Sequence, residues 1–276
     1  MSSKLYCWPD IYRFGLGNKL MVWVRSEVFA HDHNAEMLAP RFVQLPSATA
    51  LFGGVGARGY RTNLGNFDLT RGGYVSGFRR AWILNTRQIV DEQLWMQDFD
   101  DGVVRFAGAD NDRSIRMLLS HHDYIYSRLR MITNKGILDF VNKISSEPFI
   151  GVHVRRGDFK INGLAISDAW YVRAIGCALD QSGLSLVRVF SDGLASELSF
   201  VAKAFPRCRV VIMPAAKPLS DIWALSESKV MVGSSGSTFS ALSVALGQMP
   251  SIWHPVNAPR GGDLYVDPKK IPLVVE

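Results

Sequence analysis

Cysteine is scarce in this 276-residue chain: the three thiols, Cys7, Cys177 and Cys208, are widely separated and lack the spacing of a disulfide framework or a zinc site. No segment approaches the roughly 18 to 20 uninterrupted apolar residues of a membrane span, and the first twenty residues lack the apolar core of a signal peptide. We therefore expect a cytoplasmic protein without a transmembrane segment. Peripheral association with a membrane surface stays open.

Long runs of basic residues are absent as well. The chain has 31 Lys and Arg against 25 Asp and Glu, a formal net charge of +6, but the basic residues are spread along its whole length. A nucleic-acid-binding arm would concentrate them. The charge suits an anionic partner without identifying it, and an ordinary mildly basic protein would carry the same charge. Nucleic acid is therefore disfavoured as a partner.

The second half of the chain has the pattern of a parallel α/β domain. From residue 148, short apolar runs alternate with segments of helical period, each pair joined by a few polar or glycine residues. The runs are "FIGVHV", "LSLVRVF", "CRVVIMP", "KVMVG" and "PSIWHP". Five strands with intervening helices predict a Rossmann-like domain over residues 148–256.

The first half is less regular. Leu20, Val24 and Val28 share one face of a helix predicted after "FGLGN", and helical patterns recur in "RQIVDEQLW" and "HHDYIYSRLRMITNKGILDFVNKI". A glycine- and arginine-rich stretch over residues 51–80 has no regular period. We predict a second α/β domain over residues 1–147 and a tail over residues 257–276 that could pack back on it.

Polar segments follow four of the predicted strands in the second half. They are "HVRRGD", "FSDG", "PLSDIW" and "GSSGSTFS". In an open parallel sheet these loops meet at the carboxyl edge, where ligands bind. Arg155 and Arg156 bring planar guanidinium groups that can hold two oxygens of a diphosphate. The turn from Gly233 to Ser237 offers N–H groups and hydroxyls to a phosphate.

The serine turn and the arginine pair also have plainer interpretations. The serine turn could be no more than a helix cap, and the arginines could be a surface pair or could form a salt bridge with Asp158. Their occurrence at the same sheet edge favours a diphosphate site. We expect one guanidinium to contact the ligand while Asp158 orients the other.

These motifs, in this order and preceded by "GLGNKL" near the amino end, resemble the bacterial α1,2-fucosyltransferases and the related α1,6- and protein O-fucosyltransferases. The resemblance is dense in the second half and scattered in the first. It implies a GT-B architecture, in which two Rossmann-like domains face a cleft. It also implies inverting transfer of fucose from GDP-fucose to a hydroxyl of a glycan acceptor, with no metal and no other cofactor.

The resemblance further implies roles for individual residues. Arg155 matches the arginine that holds the β-phosphate, and Arg156 and Asp158 complete the catalytic motif. The implied donor-binding residues are His153 and Asp221 on the guanine, Ser234, Ser235, Ser237 and Thr238 in the phosphate loop, Asn18 from the first domain, and Asp192 as a looser match. Cations and N–H groups aimed at the departing phosphate would stabilise the transition state more than the ground state.

The sequence departs from this family in one respect. Some α1,6 relatives carry a glutamate a few residues after the arginine motif, whereas "FKINGLA" contains none. The base that would deprotonate the acceptor is therefore unassigned. Asp158 would be ionised and occupied beside two arginines, Asp68 and Asp123 are further candidates, and a mechanism without a protein base stays open. Two alternatives remain: use of another GDP-sugar, and a catalytically silent GDP- or carbohydrate-binding protein.

Three other patterns are weaker. "GVGARG" at residues 54–59 fits a dinucleotide-binding fingerprint but lacks the strand and helix that should flank it. "DFDD" at residues 98–101 has the Asp-x-Asp spacing of metal-dependent glycosyltransferases, yet it follows no buried strand and predicts a solvated turn. The pairs His31/His33 and His121/His122 lack the partners that a metal site needs.

Overall fold

A computed structural model of the protein describes residues 4–11, 15–42, 65–108, 110–157, 165–214, 217–255 and 273–274. The chain divides into two compact units, of which the first contains the described residues up to Asn134 and the second begins at Lys135. This division lies before the boundary expected after residue 147. The difference arises because the helix Lys135–Ile144 packs against the helix Pro218–Ser226 of the second unit.

The first unit is built on a four-stranded parallel sheet with the order β2-β1-β4-β3. Its strands are β1 (Leu5–Pro9), β2 (Glu36–Met37), β3 (Ile89–Asp91) and β4 (Gly102–Phe106). Its helices are α1 (Leu16–Asp32), α2 (Gly77–Thr86), α3 (Asn111–Ser120) and α4 (His122–Ile132), with a 3-10 helix at Leu69–Gly72.

The structure confirms two helix predictions and corrects a third. Helix α1 is present, and the segment 121–144 is helical apart from a break at Thr133, whose backbone is extended and whose hydroxyl donates to the carbonyl of Leu129 at 2.7 Å. "RQIVDEQLW" does not form a helix, because Ile89–Asp91 pairs with Val103–Arg105 of β4 and becomes an edge strand. There, pairing between distant segments outweighs the local helical period.

Two buried ion pairs lie along α1. Arg25 is fully buried and forms a bidentate pair with Glu92 at 2.9 and 3.1 Å. Glu27 is 1% exposed and accepts hydrogen bonds from Tyr124 and from the Arg128 guanidinium, at 3.0 to 3.2 Å. Because such charges are costly to bury unless they are paired, these contacts tie α1 to the helices and loops around it.

The second unit contains a six-stranded parallel sheet with the order β10-β9-β8-β5-β6-β7. Its strands are β5 (Ile150–Val154), β6 (Leu186–Ser191), β7 (Arg209–Ile212), β8 (Val230–Gly233), β9 (Ser251–Trp253) and β10 (Leu273–Val274). Its helices are α5 (Lys135–Ile144), α6 (Asp168–Ser182), α7 (Ser199–Ala204), α8 (Pro218–Ser226) and α9 (Thr238–Gly247), with a 3-10 helix at Ala195–Leu198.

All five strands predicted for the second unit are present, and a sixth was missed. The sixth strand, β10, lies in the expected tail and pairs with β9 of the second unit instead of joining the first. β5 is buried along its whole length between β6 and β8. Since the chain leaves β5 in one direction for β6 and later returns to its other side for β8, the carboxyl end of β5 is a topological switch point.

Candidate functional site

The candidate site lies where β5 and β8 end. The backbone amide of Arg155 donates to the hydroxyl of Ser234 at 2.9 Å, and this hydroxyl in turn donates to the carbonyl of His153 at 2.8 Å. Arg155 and Ser234 are 79 residues apart in the chain. The arginine motif and the serine turn, which the sequence predicts at one edge of the sheet, are thus directly hydrogen-bonded.

Arg155 is the partly exposed member of the arginine pair. Its side chain is 29% exposed, and its Nη1 lies 2.9 Å from Oδ2 of Asp192 at the end of β6. The other carboxylate oxygen, Oδ1, accepts from the backbone amides of Arg156 at 2.7 Å and Gly157 at 3.2 Å. Asp192 therefore holds both the Arg155 side chain and the backbone that follows it.

The environment of Asp192 favours its charged form. Burial by itself opposes ionisation, but the guanidinium of Arg155 and the amides of Arg156 and Gly157 outweigh burial and lower the pKa of the Asp192 carboxyl. Close approach requires glycine here, since a Cβ on Gly157 would lie 2.7 Å from Asp192 Oδ2. The looser match of Asp192 to a donor-binding position remains a prediction, whereas its contact with Arg155 is direct.

Arg156 points into the unit. Its side chain is 7% exposed, its Nη1 donates to the carbonyl of Ile166 at 3.0 Å, and its Nη2 pairs with Asp168. The guanidinium lies over the rings of Tyr171 and Phe200, 5.9 and 5.7 Å from their centroids. The Arg156 side chain is thus held inside the unit, whereas part of the Arg155 side chain is open to solvent.

Within the described residues, the carboxylates that pair with the two arginines are Asp192 and Asp168. Asp158, expected to orient one of them, lies outside the described residues. Ser167 caps α6 by accepting from the Trp170 amide at 3.3 Å, which leaves the Asp168 carboxylate for the guanidinium.

The serine turn connects β8 to α9. Ser235 donates its hydroxyl to the carbonyl of His254 at 2.6 Å, and Ser237 caps α9 by accepting from the amide of Ser240. Within the described part of the chain, the amides of Thr238 and Phe239 in the first turn of α9 donate to no acceptor. A helix amino end with open N–H groups attracts anions.

His153 and Asp221, expected on a guanine base, are both deeply buried. His153 is 4% exposed, with Nδ1 2.7 Å from the hydroxyl of Ser240 and its ring stacked on Phe239 at 4.9 Å. Asp221 is 3% exposed in the first turn of α8, which begins with Pro218. Their contact with a base stays a prediction.

Asn18 lies in the first turn of α1, in the first unit. Its Oδ1 is buried and, within the described residues, accepts no hydrogen bond. A buried amide oxygen without a donor is uncommon in native proteins. The expected role of Asn18 toward a donor remains a prediction.

The candidate bases are placed differently from one another. Asp68 caps the 3-10 helix by accepting from the amide and hydroxyl of Thr70 at 3.3 and 2.5 Å, whereas the Asp123 side chain is fully exposed. Asp101 of the "DFDD" segment pairs with Arg87, as a solvated turn would allow. Among the residues that the structure describes, no three His, Cys, Asp or Glu side chains are grouped to bind a metal. Residues 54–59 lie outside the described residues.

Two contributors to this site were not predicted from the sequence. Tyr171 was given no role, yet its hydroxyl lies 2.7 Å from that of Ser234. Ser240 was included in the turn without a role, and it bonds both His153 and the amide of Ser234. No local signal identifies such partners, because each acts through a residue on another element.

Two parallel sheets with a polar switch point confirm the predicted α/β fold with two Rossmann-like units, of the GT-B type. No protein-family model matches the sequence, and no curated protein matches it. Solved structures do match. The fucosyltransferase NodZ from Bradyrhizobium aligns with a TM-score of 0.57 at 18% identity, covering 95% of this chain and 98% of NodZ.

POFUT1 gives a similar result. Its apo form aligns with a TM-score of 0.59 at 12% identity, covering 91% of this chain and 97% of POFUT1. Its complex with GDP-fucose aligns with a TM-score of 0.57 at 13% identity, over the same shares of the two chains. Likeness at this level of identity establishes a shared fold. None of the helices in the described ranges has the length and apolar composition to cross a membrane.

Proposed function

We propose that this protein is a glycosyltransferase that moves fucose from GDP-fucose to a hydroxyl of a glycan acceptor. The fold it shares with NodZ and POFUT1 supports this proposal, as do structures of both neighbours obtained with GDP-fucose. The observation that carries it is the hydrogen bond between the Arg155 amide and Ser234, because it unites a guanidinium and the amino end of α9 at the switch point.

The chemistry of fucosyl transfer suits this arrangement. As the bond between fucose C1 and the phosphate oxygen breaks, negative charge accumulates on the β-phosphate of the leaving GDP. A guanidinium held in place by Asp192, together with the amides of Thr238 and Phe239, would stabilise that charge without reorganising. His153 and Asp221 would select guanine, and Asn18 would be a further donor-binding residue.

The finer features of the reaction rest on the sequence resemblance. They are inversion at the anomeric carbon, independence of metal, and the α1,2 linkage. We assign no catalytic base. Asp192 is unsuitable because its pKa is lowered by a contact that also fixes Arg155. The protein is proposed to act in the cytoplasm.

A donor panel tests the proposal. The purified protein is incubated with GDP-fucose, GDP-mannose or UDP-galactose, with and without EDTA, and donor hydrolysis is followed beside the thermal shift. We expect hydrolysis and stabilisation with GDP-fucose, insensitive to EDTA. Turnover of GDP-mannose alone would indicate another GDP-sugar, and a shift without hydrolysis would indicate a silent binding protein. Neither effect with any GDP compound would refute the proposal.

Substitution of Arg155 tests the site itself. We expect Arg155→Ala to reduce turnover by about 10²- to 10³-fold, the usual effect of removing one donor to a developing oxyanion. Arg155→Lys should recover little of this loss, because an ammonium cannot reproduce the two-pronged guanidinium. Near-normal turnover of the lysine variant would contradict the assignment of Arg155 to the pyrophosphate.

A further inference from the structure

The hydroxyl of Ser234 has three hydrogen-bond partners. They are the amide of Arg155 at 2.9 Å, the carbonyl of His153 at 2.8 Å and the hydroxyl of Tyr171 at 2.7 Å. A serine hydroxyl has one proton to donate and two lone pairs that accept. Three partners therefore use its full capacity.

The direction of each bond follows from its partner. An amide N–H can only donate and a carbonyl oxygen can only accept, so the proton of Ser234 goes to His153 and one lone pair accepts from Arg155. The remaining lone pair must accept from Tyr171, whose hydroxyl is thereby the donor. Both side chains are completely buried, and burial raises the pKa of Tyr171 to about 12, so the phenol keeps the proton that it donates.

These directions leave Ser234 with no proton for an anion. A phosphate oxygen needs a donor, and the only proton of this hydroxyl is already directed at the carbonyl of His153. The role that the resemblance implied for the Ser234 hydroxyl, direct contact with the phosphate, would require breaking a buried hydrogen bond.

Tyr171 also contacts the second arginine. Its ring lies under the guanidinium of Arg156, which is held at the start of the same helix by Asp168. The first turns of α6 therefore brace both arginines, the hydroxyl of Tyr171 acting on Arg155 through Ser234 and its ring acting on Arg156 directly.

We propose that Tyr171 and Ser234 are positioning residues that lock the end of β5 to the end of β8, so that Arg155 is presented to the pyrophosphate. Neither hydroxyl contacts the donor itself. This inference rests on the proposed function for its consequence, but the lock is a property of the protein alone and can be measured without a donor.

The test uses Tyr171→Phe, which keeps the ring under Arg156 and removes only the hydroxyl. We expect GDP affinity to fall roughly tenfold, as a lost buried hydrogen bond would cause, while GMP affinity changes little because GMP lacks the β-phosphate. A general loss of structure would weaken both nucleotides equally. Ser226→Ala is the control, since it removes a buried hydroxyl that donates only to Trp223 within its own helix.

A double variant tests the path through Ser234. If Tyr171 acts through this hydroxyl, Tyr171→Phe should add little further loss of GDP affinity in a Ser234→Ala background. Losses that multiply would overturn the inference, as would equal weakening of GDP and GMP by Tyr171→Phe or unchanged GDP affinity in that variant.

Hydrogen exchange separates this inference from the proposed function. In Tyr171→Phe, peptides covering residues 153–157 and 233–240 should exchange faster than in the wild type and in Ser226→Ala, with no nucleotide present. If the wild type binds no GDP but this acceleration occurs, the function fails and the lock stands. Unchanged exchange in both peptides would refute the lock itself.

Discussion

Arg155 and Arg156 are adjacent in the sequence, yet the structure assigns them opposite consequences when they are replaced. The matched substitutions Arg155→Met and Arg156→Met each remove a guanidinium and keep an unbranched apolar stem. We expect the first to reduce ligand affinity with little effect on stability, and the second to reduce stability.

The magnitudes follow from exposure and partners. Arg156→Met loses a charged hydrogen bond to the buried backbone of Ile166, worth about 1.5–3 kcal/mol, and a pair with Asp168 that adds at most about 1 kcal/mol because that carboxylate is 55% exposed. Arg155→Met loses a pair in which the arginine is 29% exposed, while Asp192 keeps two backbone donors, so about 1 kcal/mol is the upper range.

Thermal unfolding and GDP titration measure the two effects separately. At about 2 °C per kcal/mol for a chain of this size, Arg156→Met should lower Tm by roughly 3–8 °C and Arg155→Met by about 2 °C or less. GDP affinity should fall by about 10- to 100-fold in Arg155→Met. Equal loss of stability in the two variants, or an Arg156→Met protein with unchanged Tm, would refute the inference that Arg155 faces outward and Arg156 faces the interior.

Three further outcomes are expected. Gly157→Ala should destabilise the protein by about 1–3 kcal/mol, because the added Cβ would collide with Asp192. Gly176→Ala should stabilise it by about 0.5–1 kcal/mol, because Gly176 lies within helix α6 and the added Cβ would meet no neighbour closer than 4.0 Å. Urea unfolding of both variants shows whether their effects on stability have opposite signs. Since the folded-state pKa of Asp192 is lowered, the contribution of its charged form to folding stability is complete above its unfolded pKa of about 4 and is lost as pH falls further. The difference in stability between the wild type and Asp192→Asn should therefore disappear at acid pH. A difference that grows at acid pH would contradict this reasoning. Glu27→Gln should lower the free energy of unfolding by about 3 kcal/mol, because it leaves the Arg128 guanidinium without its carboxylate partner. An unchanged urea midpoint would exclude a stabilising role for this ion pair.

The fold of the second unit could be predicted because its signal is local. Strands such as β5 and β8 are buried on both faces and therefore appear as short, continuous apolar runs. In the first unit, β3 is a partly exposed edge strand that pairs over only three residues, and the apparent helical period of its sequence was misleading. Pairing with β4 makes this segment a strand, and no local pattern in the sequence indicates that pairing.

The sequence predicted which residues form the candidate site but not the hydrogen bonds and ion pairs between them. The sequence placed Arg155 and Ser234 at one sheet edge, and the structure joins them by a hydrogen bond. The sequence did not distinguish the two arginines, because adjacent residues have the same sequence neighbours. Their difference comes from Asp192 and Asp168, which lie on separate elements and approach only after folding.

The sequence by itself determined that parallel strands would deliver arginines and serines to a common edge, since strand direction and side-chain period are properties of the chain. Tertiary structure alone decided which guanidinium faces outward and which hydroxyls are already occupied. The physical reason is that a side chain has few hydrogen-bonding positions, and the groups that fill them here come from helices and strands remote in sequence. Ser234 shows this best: its partners at residues 153, 155 and 171 leave it no capacity for a ligand.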